Sequence, residues 1–184
     1  MKILTGRLRG RTLLFKFAAG LRPTSDRVRK AIFDMLQGQV EGSRVLDLFS
    51  GTGALGIEAL SLGAREAVFV ETEKGQAKKI EEILGILELK KETRVIVSDA
   101  FTALERLSEG KEFFDLVFAD PPYERGLAAK TLEKLFACDV MSPGGFFVLE
   151  CSDKEKAPAA PGGWRELRCR TYGDTKIILY QKGV

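Results

Sequence analysis

The sequence predicts an α/β fold, a mostly parallel sheet with helices on both faces. Three observations predict it. From about residue 44, short apolar runs alternate with helix-length segments, the pattern of successive strand–helix–strand units. A glycine-rich turn, "FSGTGALG", follows the first run and opens an apolar helical segment. The runs also end on acids (Asp47, Glu71, Asp99 and Asp120), which a parallel sheet brings to one crevice at its carboxyl ends.

Residues 3–15 alternate loosely around "RLRGRTL", and Gly10 is expected to turn a short hairpin there. Next, "RPTSDRVRKAIFDML" carries a helix start, with Pro23 followed by Thr24, Ser25 or Asp26 as the N-cap. Val28, Ala31, Ile32, Met35 and Leu36 fall on one apolar stripe, and Arg27, Arg29 and Lys30 lie off it. Strands are predicted at 45–48, 67–71, 95–98, 116–119 and 146–150, with helices near 54–62, 73–87, 100–108 and 127–137. The stretch "APAAPGG" at 157–163 reads as a loop. "RELRCRTYGDTKIILYQK" then reads as two strands joined at Gly173-Asp174, an antiparallel hairpin closing the sheet edge.

With 184 residues, 45% of them hydrophobic, the chain suits one domain and a small appendage. The expected division is an extension over 1–38 and a main domain over 39–184. No apolar run approaches the roughly 18 residues that span a bilayer, and arginines interrupt the N-terminal segment, against a signal peptide. Cys138, Cys151 and Cys169 lack metal-type spacing and are expected as reduced thiols in a cytoplasmic protein. The absence of histidine excludes histidine-based triads and zinc–histidine sites. Net charge is +3, but nine of the 29 basic residues fall within residues 1–30, against one of the 26 acids. Such a basic arm on an acidic body suits a nucleic-acid phosphate backbone.

Gly51, Gly53 and Gly56 form a G-x-G-x-x-G arrangement, which allows a tight turn, close backbone approach to a ligand and close helix–strand packing. Dinucleotide enzymes share this motif. Here, however, "DLFS" separates the strand from the turn, and a crevice holding Asp47, Glu71 and Asp99 with no basic clamp suits a pyrophosphate poorly. It suits S-adenosylmethionine, with Asp47 near the amino-acid end, Glu71 on the ribose hydroxyls and Asp99 on the adenine amino group.

The fourth run stops at "DPPY", Asp120 to Tyr123. Proline cannot donate to a ladder and pushes its predecessor into extended geometry, so the strand ends with the Asp120 carboxylate at the lip of a stiff turn. An exocyclic amino group is a poor nucleophile because its lone pair is delocalised into the base. Asp120 and the Pro121 carbonyl can each accept an N–H and hold the nitrogen for attack, Pro122 stiffens the turn, and Tyr123 can stack on an extruded base.

These residues carry a resemblance. "LDLFSGTGALGIEALSLGA" with "DPPY" is similar to Rossmann-like class I methyltransferases acting on amino nitrogens, which have a seven-stranded sheet. "GRLRGRTL", "LRPTSDRVRKAIFDML" and "YGDT" resemble the RsmD family, nearly along the whole chain. The resemblance implies N2 methylation of a guanine in 16S rRNA, within an assembling small subunit, by a monomer using S-adenosylmethionine and no metal. It implies cofactor contacts from Gly51, Gly53, Glu71 and Asp99, a catalytic turn at Asp120–Tyr123, and RNA contacts from Arg9, Arg11, Arg22 and Arg27. Competing readings are an adenine-N6 or cytosine-N4 amino-methyltransferase, an NAD-dependent oxidoreductase, and an RNA-binding module without catalysis.

Overall fold

The computed structural model describes residues 1–13, 24–123, 126–155 and 159–184. Seven strands, β1 (Arg44–Asp47), β2 (Glu66–Glu71), β3 (Thr93–Val97), β4 (Phe114–Ala119), β5 (Met141–Ser152), β6 (Trp164–Tyr172) and β7 (Thr175–Lys182), form one sheet of order β3-β2-β1-β4-β5-β7-β6. The first five run parallel; β7 pairs antiparallel with both β5 and β6. Among the described residues five helices alternate with them: α1 (Asp26–Met35), α2 (Ala54–Ser61), α3 (Lys74–Ile86), α4 (Ala100–Glu109) and α5 (Leu127–Ala137). The mostly parallel sheet with an antiparallel C-terminal hairpin is therefore as expected.

Period-two alternation along each strand divides the core. Val45, Phe69, Leu116, Phe118, Val148, Ile177 and Leu179 face α1, α2 and α3, while Leu46, Val68, Val70, Val117, Leu149, Ile178 and Tyr180 face α4 and α5. Strand order reverses between β1 and β4, so their carboxyl ends flank the crevice in which open α/β sheets bind ligands. Most element ends fall within one or two residues of the expected ones. β5 is the exception. It begins at Met141, upstream of Pro143-Gly144-Gly145, because an irregularity in its pairing with β4 lets Met141 pair with Phe114 and Phe146 with Leu116.

Two N-terminal expectations change. Residues Met1–Ile3 do pair back on Arg11–Leu13, through Lys2 and Thr12, but Gly10 stands at the base of the connecting loop, its N–H donating to the Ile3 carbonyl at 2.9 Å, and not at the centre of the turn. A wider loop with a 3-10 turn at Gly6–Leu8 connects them, because the Leu4 and Thr5 N–H groups bond the Glu58 carboxylate at 2.7 and 3.2 Å. Gly6 sits so close to α2 that a Cβ there would lie 1.9 Å from the Ser61 carbonyl oxygen. Arg29, expected off the buried stripe with other surface basics, is only 2% exposed. Its Nε lies 3.3 Å from Glu58 and its Nη2 donates to the Lys2 carbonyl at 2.7 Å, so it ties α1, α2 and the N-terminus together. Ile3, Leu13, Val28, Ile32 and Leu36 accordingly share one apolar core with β1 and α2.

Candidate active site

A cavity of about 750 Å³ opens at the carboxyl ends of β1 and β4. Asp47 and Ser50–Thr52 line one side of it and Asp120–Tyr123 another; Glu150, Tyr172 and Thr175 from β5, β6 and β7 line it too. The glycine turn and the "DPPY" turn thus share one chamber.

Asp47 ends β1 with its side chain almost fully enclosed, and Oδ2 accepts the Gly56 N–H at 3.2 Å. Burial pushes its carboxyl up to about 7, the Gly56 bond opposes this, and the charges of Asp120 and Glu71 add to it. The loop beyond is held from several sides. Ser50 Oγ donates to the Asp47 carbonyl at 2.8 Å, and the Ser50 N–H to the Val70 carbonyl at 3.0 Å. Gly51 donates its N–H to Glu71 Oε2 at 2.9 Å, and its carbonyl accepts from Gln76 Nε2 at 2.9 Å. Gly53 precedes α2 at φ 74°, a left-handed geometry that glycine adopts without strain. Gly56 permits close helix–strand contact, since a Cβ there would lie 2.3 Å from Phe69 Cε1.

Glu71 and Asp99 stand outside the lining of this cavity, at the neighbouring strand ends. Glu71 is half-buried, and its second oxygen, Oε1, accepts the Glu73 N–H at 2.9 Å. Asp99 is exposed and caps α4, its Oδ1 accepting from Phe101 and Thr102 N–H at 3.1 and 2.9 Å. The Thr102 backbone bond is the main influence holding its carboxyl below the ordinary range.

Asp120 is the first residue beyond β4, as the prolines require. Its Oδ2 accepts the Thr24 hydroxyl at 2.9 Å. Thr24 is released for this because its neighbour Ser25 caps α1, accepting the Val28 N–H at 3.2 Å. The Tyr123 hydroxyl donates to Glu150 Oε1 at 3.0 Å and shares a hydrogen bond with Thr175 Oγ1 at 2.8 Å. Burial, above all, raises its phenol beyond the ordinary tyrosine range, so the hydroxyl stays protonated. Its ring is therefore tethered at the far end.

Arg27 is exposed, lines the cavity and lies over the Tyr172 ring at 5.6 Å. Arg9 and Arg11 are exposed on the N-terminal loop, away from that lining; Arg22 lies outside the described residues. Sequence reasoning missed Thr24, Gln76, Glu150 and Thr175. Of these, adjacent hydroxyls at a helix start signal a spare donor, and a glutamate ending an apolar strand signals a buried acceptor; Gln76 and Thr175 carry no such mark.

The family model described as conserved hypothetical protein 95 matches residues 1–181. The ribosomal RNA small subunit methyltransferase D of Haemophilus influenzae is 32% identical over 181 residues, covering 98% of this chain and 93% of that protein. Its namesake from Escherichia coli K12 is 32% identical over 182 residues, covering 99% and 90%. The solved structure of yhhF from Escherichia coli is similar with a TM-score of 0.86 at 31% identity, covering 100% of this chain and 98% of that one. With this fold, these two turns in one chamber and matches along nearly its whole length, the chain belongs to the conserved hypothetical protein 95 family, the RsmD family of methyltransferases.

Proposed function

We propose that this protein transfers a methyl group from S-adenosylmethionine to the exocyclic N2 amino group of a specific guanine in 16S rRNA. The observation that carries the reading is the chamber shared by the glycine turn and Asp120–Tyr123. Its chemistry fits the cofactor: among the described residues three carboxylates (Asp47, Asp120 and Glu150) and one arginine line it, and burial pushes the Asp47 carboxyl up to about 7. A ligand bearing an ammonium and a sulfonium relieves that burden, whereas a dinucleotide pyrophosphate adds to it.

S-adenosylmethionine supplies an electrophilic methyl carbon. Asp47 accepts the ligand ammonium at the floor of the crevice, Gly51 and Gly53 let the backbone approach its amino-acid portion, Glu71 takes the ribose hydroxyls and Asp99 the adenine amino group. Asp120 and the Pro121 carbonyl accept the two N–H bonds of the guanine amine, turning its lone pair toward the glycine loop. Thr24 keeps the Asp120 carboxylate from rotating. Tyr123, tethered by Glu150 and Thr175, offers its ring face to the base. Methylation acidifies the amine, and Asp120, already accepting one of its N–H bonds, takes the departing proton.

Residues 1–38 serve in this proposal as the RNA-facing extension, with Arg9, Arg11, Arg22 and Arg27 on phosphates, and 39–184 as the methyltransferase domain. A monomer acting in the cytoplasm on an assembling small subunit belongs to the same proposal. Labelled methyl transfer to small subunits lacking their methylations, followed by nucleotide mapping, tests it. Label on one guanine N2 is expected; label confined to adenine or cytosine overturns it.

A further inference from the structure

The outer edge of the sheet carries basic residues that neither the fold nor the site accounts for. β6 is the last strand, and nearly all of it is exposed. Cross-strand partners share a face, so the β7 partners assign the direction of each β6 side chain. Arg168 pairs with Leu179, Arg170 with Ile177 and Tyr172 with Thr175; Leu179 and Ile177 belong to the core on the α1 side. Arg165 pairs with Gln181, two residues from Leu179, and so lies on that face as well.

A three-residue step from Arg165 to Arg168 would put the two on opposite faces of a regular strand. The irregularity between Glu166 and Arg168 leaves Leu167 extra, and this returns Arg165 to the arginine face. Glu166, opposite Tyr180, falls on the other face. All three arginines are exposed, and among the described residues none has an ionic partner. The row leads to Tyr172, which lies under Arg27 and lines the cavity.

We propose that Arg165, Arg168 and Arg170 form a phosphate-binding track that guides the substrate RNA strand along β6 into the cavity. Three unpaired guanidinium groups on one face, about 7 Å apart where they are two residues apart on the strand, match a polyanion by charge and by continuity with the site. This rests on the functional reading above and adds a surface distinct from the N-terminal arm.

The test compares wild type, the triple variant Arg165→Gln/Arg168→Gln/Arg170→Gln, and a control of equal charge loss, Lys90→Gln/Lys91→Gln/Lys111→Gln, exposed at the opposite ends of the strands. RNA affinity is measured by filter binding across a salt series, together with KM and kcat for methyl transfer and affinity for S-adenosylhomocysteine. Loss of the track should raise KM for RNA at least tenfold and lower the log–log salt slope by roughly 2, about 0.7 per single-strand phosphate contact. kcat at saturating RNA and cofactor-product affinity should match wild type. Equal KM and salt slope in the triple variant and the control would overturn the track and leave the functional reading standing. So would a wild-type dimer by sedimentation that the triple variant dissolves, since the edge would then be a contact between copies. Absence of RNA methyl transfer by wild type would overturn both.

Discussion

The Thr24 hydroxyl donates to Asp120 Oδ2 at 2.9 Å, joining residues 96 positions apart and linking the N-terminal extension to the "DPPY" turn. A bond to a charged group contributes about 1.5–3 kcal/mol, and here it fixes a carboxylate that must orient a nucleophile. Thr24→Val should lower kcat for methyl transfer about tenfold to a hundredfold with little change in cofactor affinity. Thr24→Ser retains the donor and should restore most of the rate. Single-turnover kinetics at saturating RNA checks both, and equal rates in Thr24→Val and wild type would reduce the bond to a strut.

Asp120 itself should matter chiefly in the transition state. Loss of one preorganised electrostatic group costs about a hundredfold to a thousandfold in kcat, so Asp120→Ala should fall in that range while binding cofactor normally. Asp120→Asn keeps a carbonyl acceptor and should retain more activity than alanine.

Asp47 gives the ligand-free protein a particular pH response. Its carboxyl titrates near 7 when folded, mainly through burial, against an ordinary value of 3.8. Between those limits the folded state holds a proton that the unfolded chain has released. Stability therefore falls as pH rises from about 4 to about 7, and the effect levels off above that window. Asp47→Asn should flatten this part of the profile, measured as Tm against pH. S-adenosylhomocysteine, whose ammonium would meet the carboxylate, should stabilise wild type more at pH 8 than at pH 5.

Glu71 holds two backbone N–H groups, those of Gly51 and Glu73, besides its proposed ribose contact. Glu71→Ala should weaken S-adenosylmethionine binding at least about tenfold, on the scale of one charge-assisted hydrogen bond. Calorimetry on the folded variant measures it, and unchanged affinity would remove Glu71 from the cofactor site.

Glu58 is the buried counterpart of Arg29 and also accepts from Leu4, Thr5 N–H and the Thr5 hydroxyl. Glu58→Ala leaves a buried guanidinium with, among the described residues, only Asp26 and the Lys2 carbonyl, and should cost about 3 kcal/mol in urea unfolding. Arg29→Met combined with Glu58→Leu should recover part of that loss.

How much of this was legible follows from the range over which each feature is encoded. Gly53, Gly56 and Pro121 act on their own backbone or nearest packing, so the glycine loop and the strand end at Asp120 could be read residue by residue. The alternation of Val45, Leu46, Phe69 and Val70 in apolar runs carried the sheet and its two covered faces, because period two is a local property. Strand-ending acids converge in any parallel sheet, which brought Asp47 and Asp120 to one crevice before any contact was known.

The tertiary structure alone decided what depends on partners far along the chain. Arg29 looks like a surface base until Glu58, on another helix, makes its burial affordable. Gly10 looks like the centre of a short hairpin, whereas the connection runs through a wider loop in which that same carboxylate takes the Leu4 and Thr5 N–H groups. Tyr123 meets Glu150 and Thr175 only because β5 and β7 are adjacent in the sheet. Arg165 joins Arg168 and Arg170 on one face only because an extra residue interrupts the ladder, and a ladder irregularity is a property of two strands together, which the alternation within either one does not record.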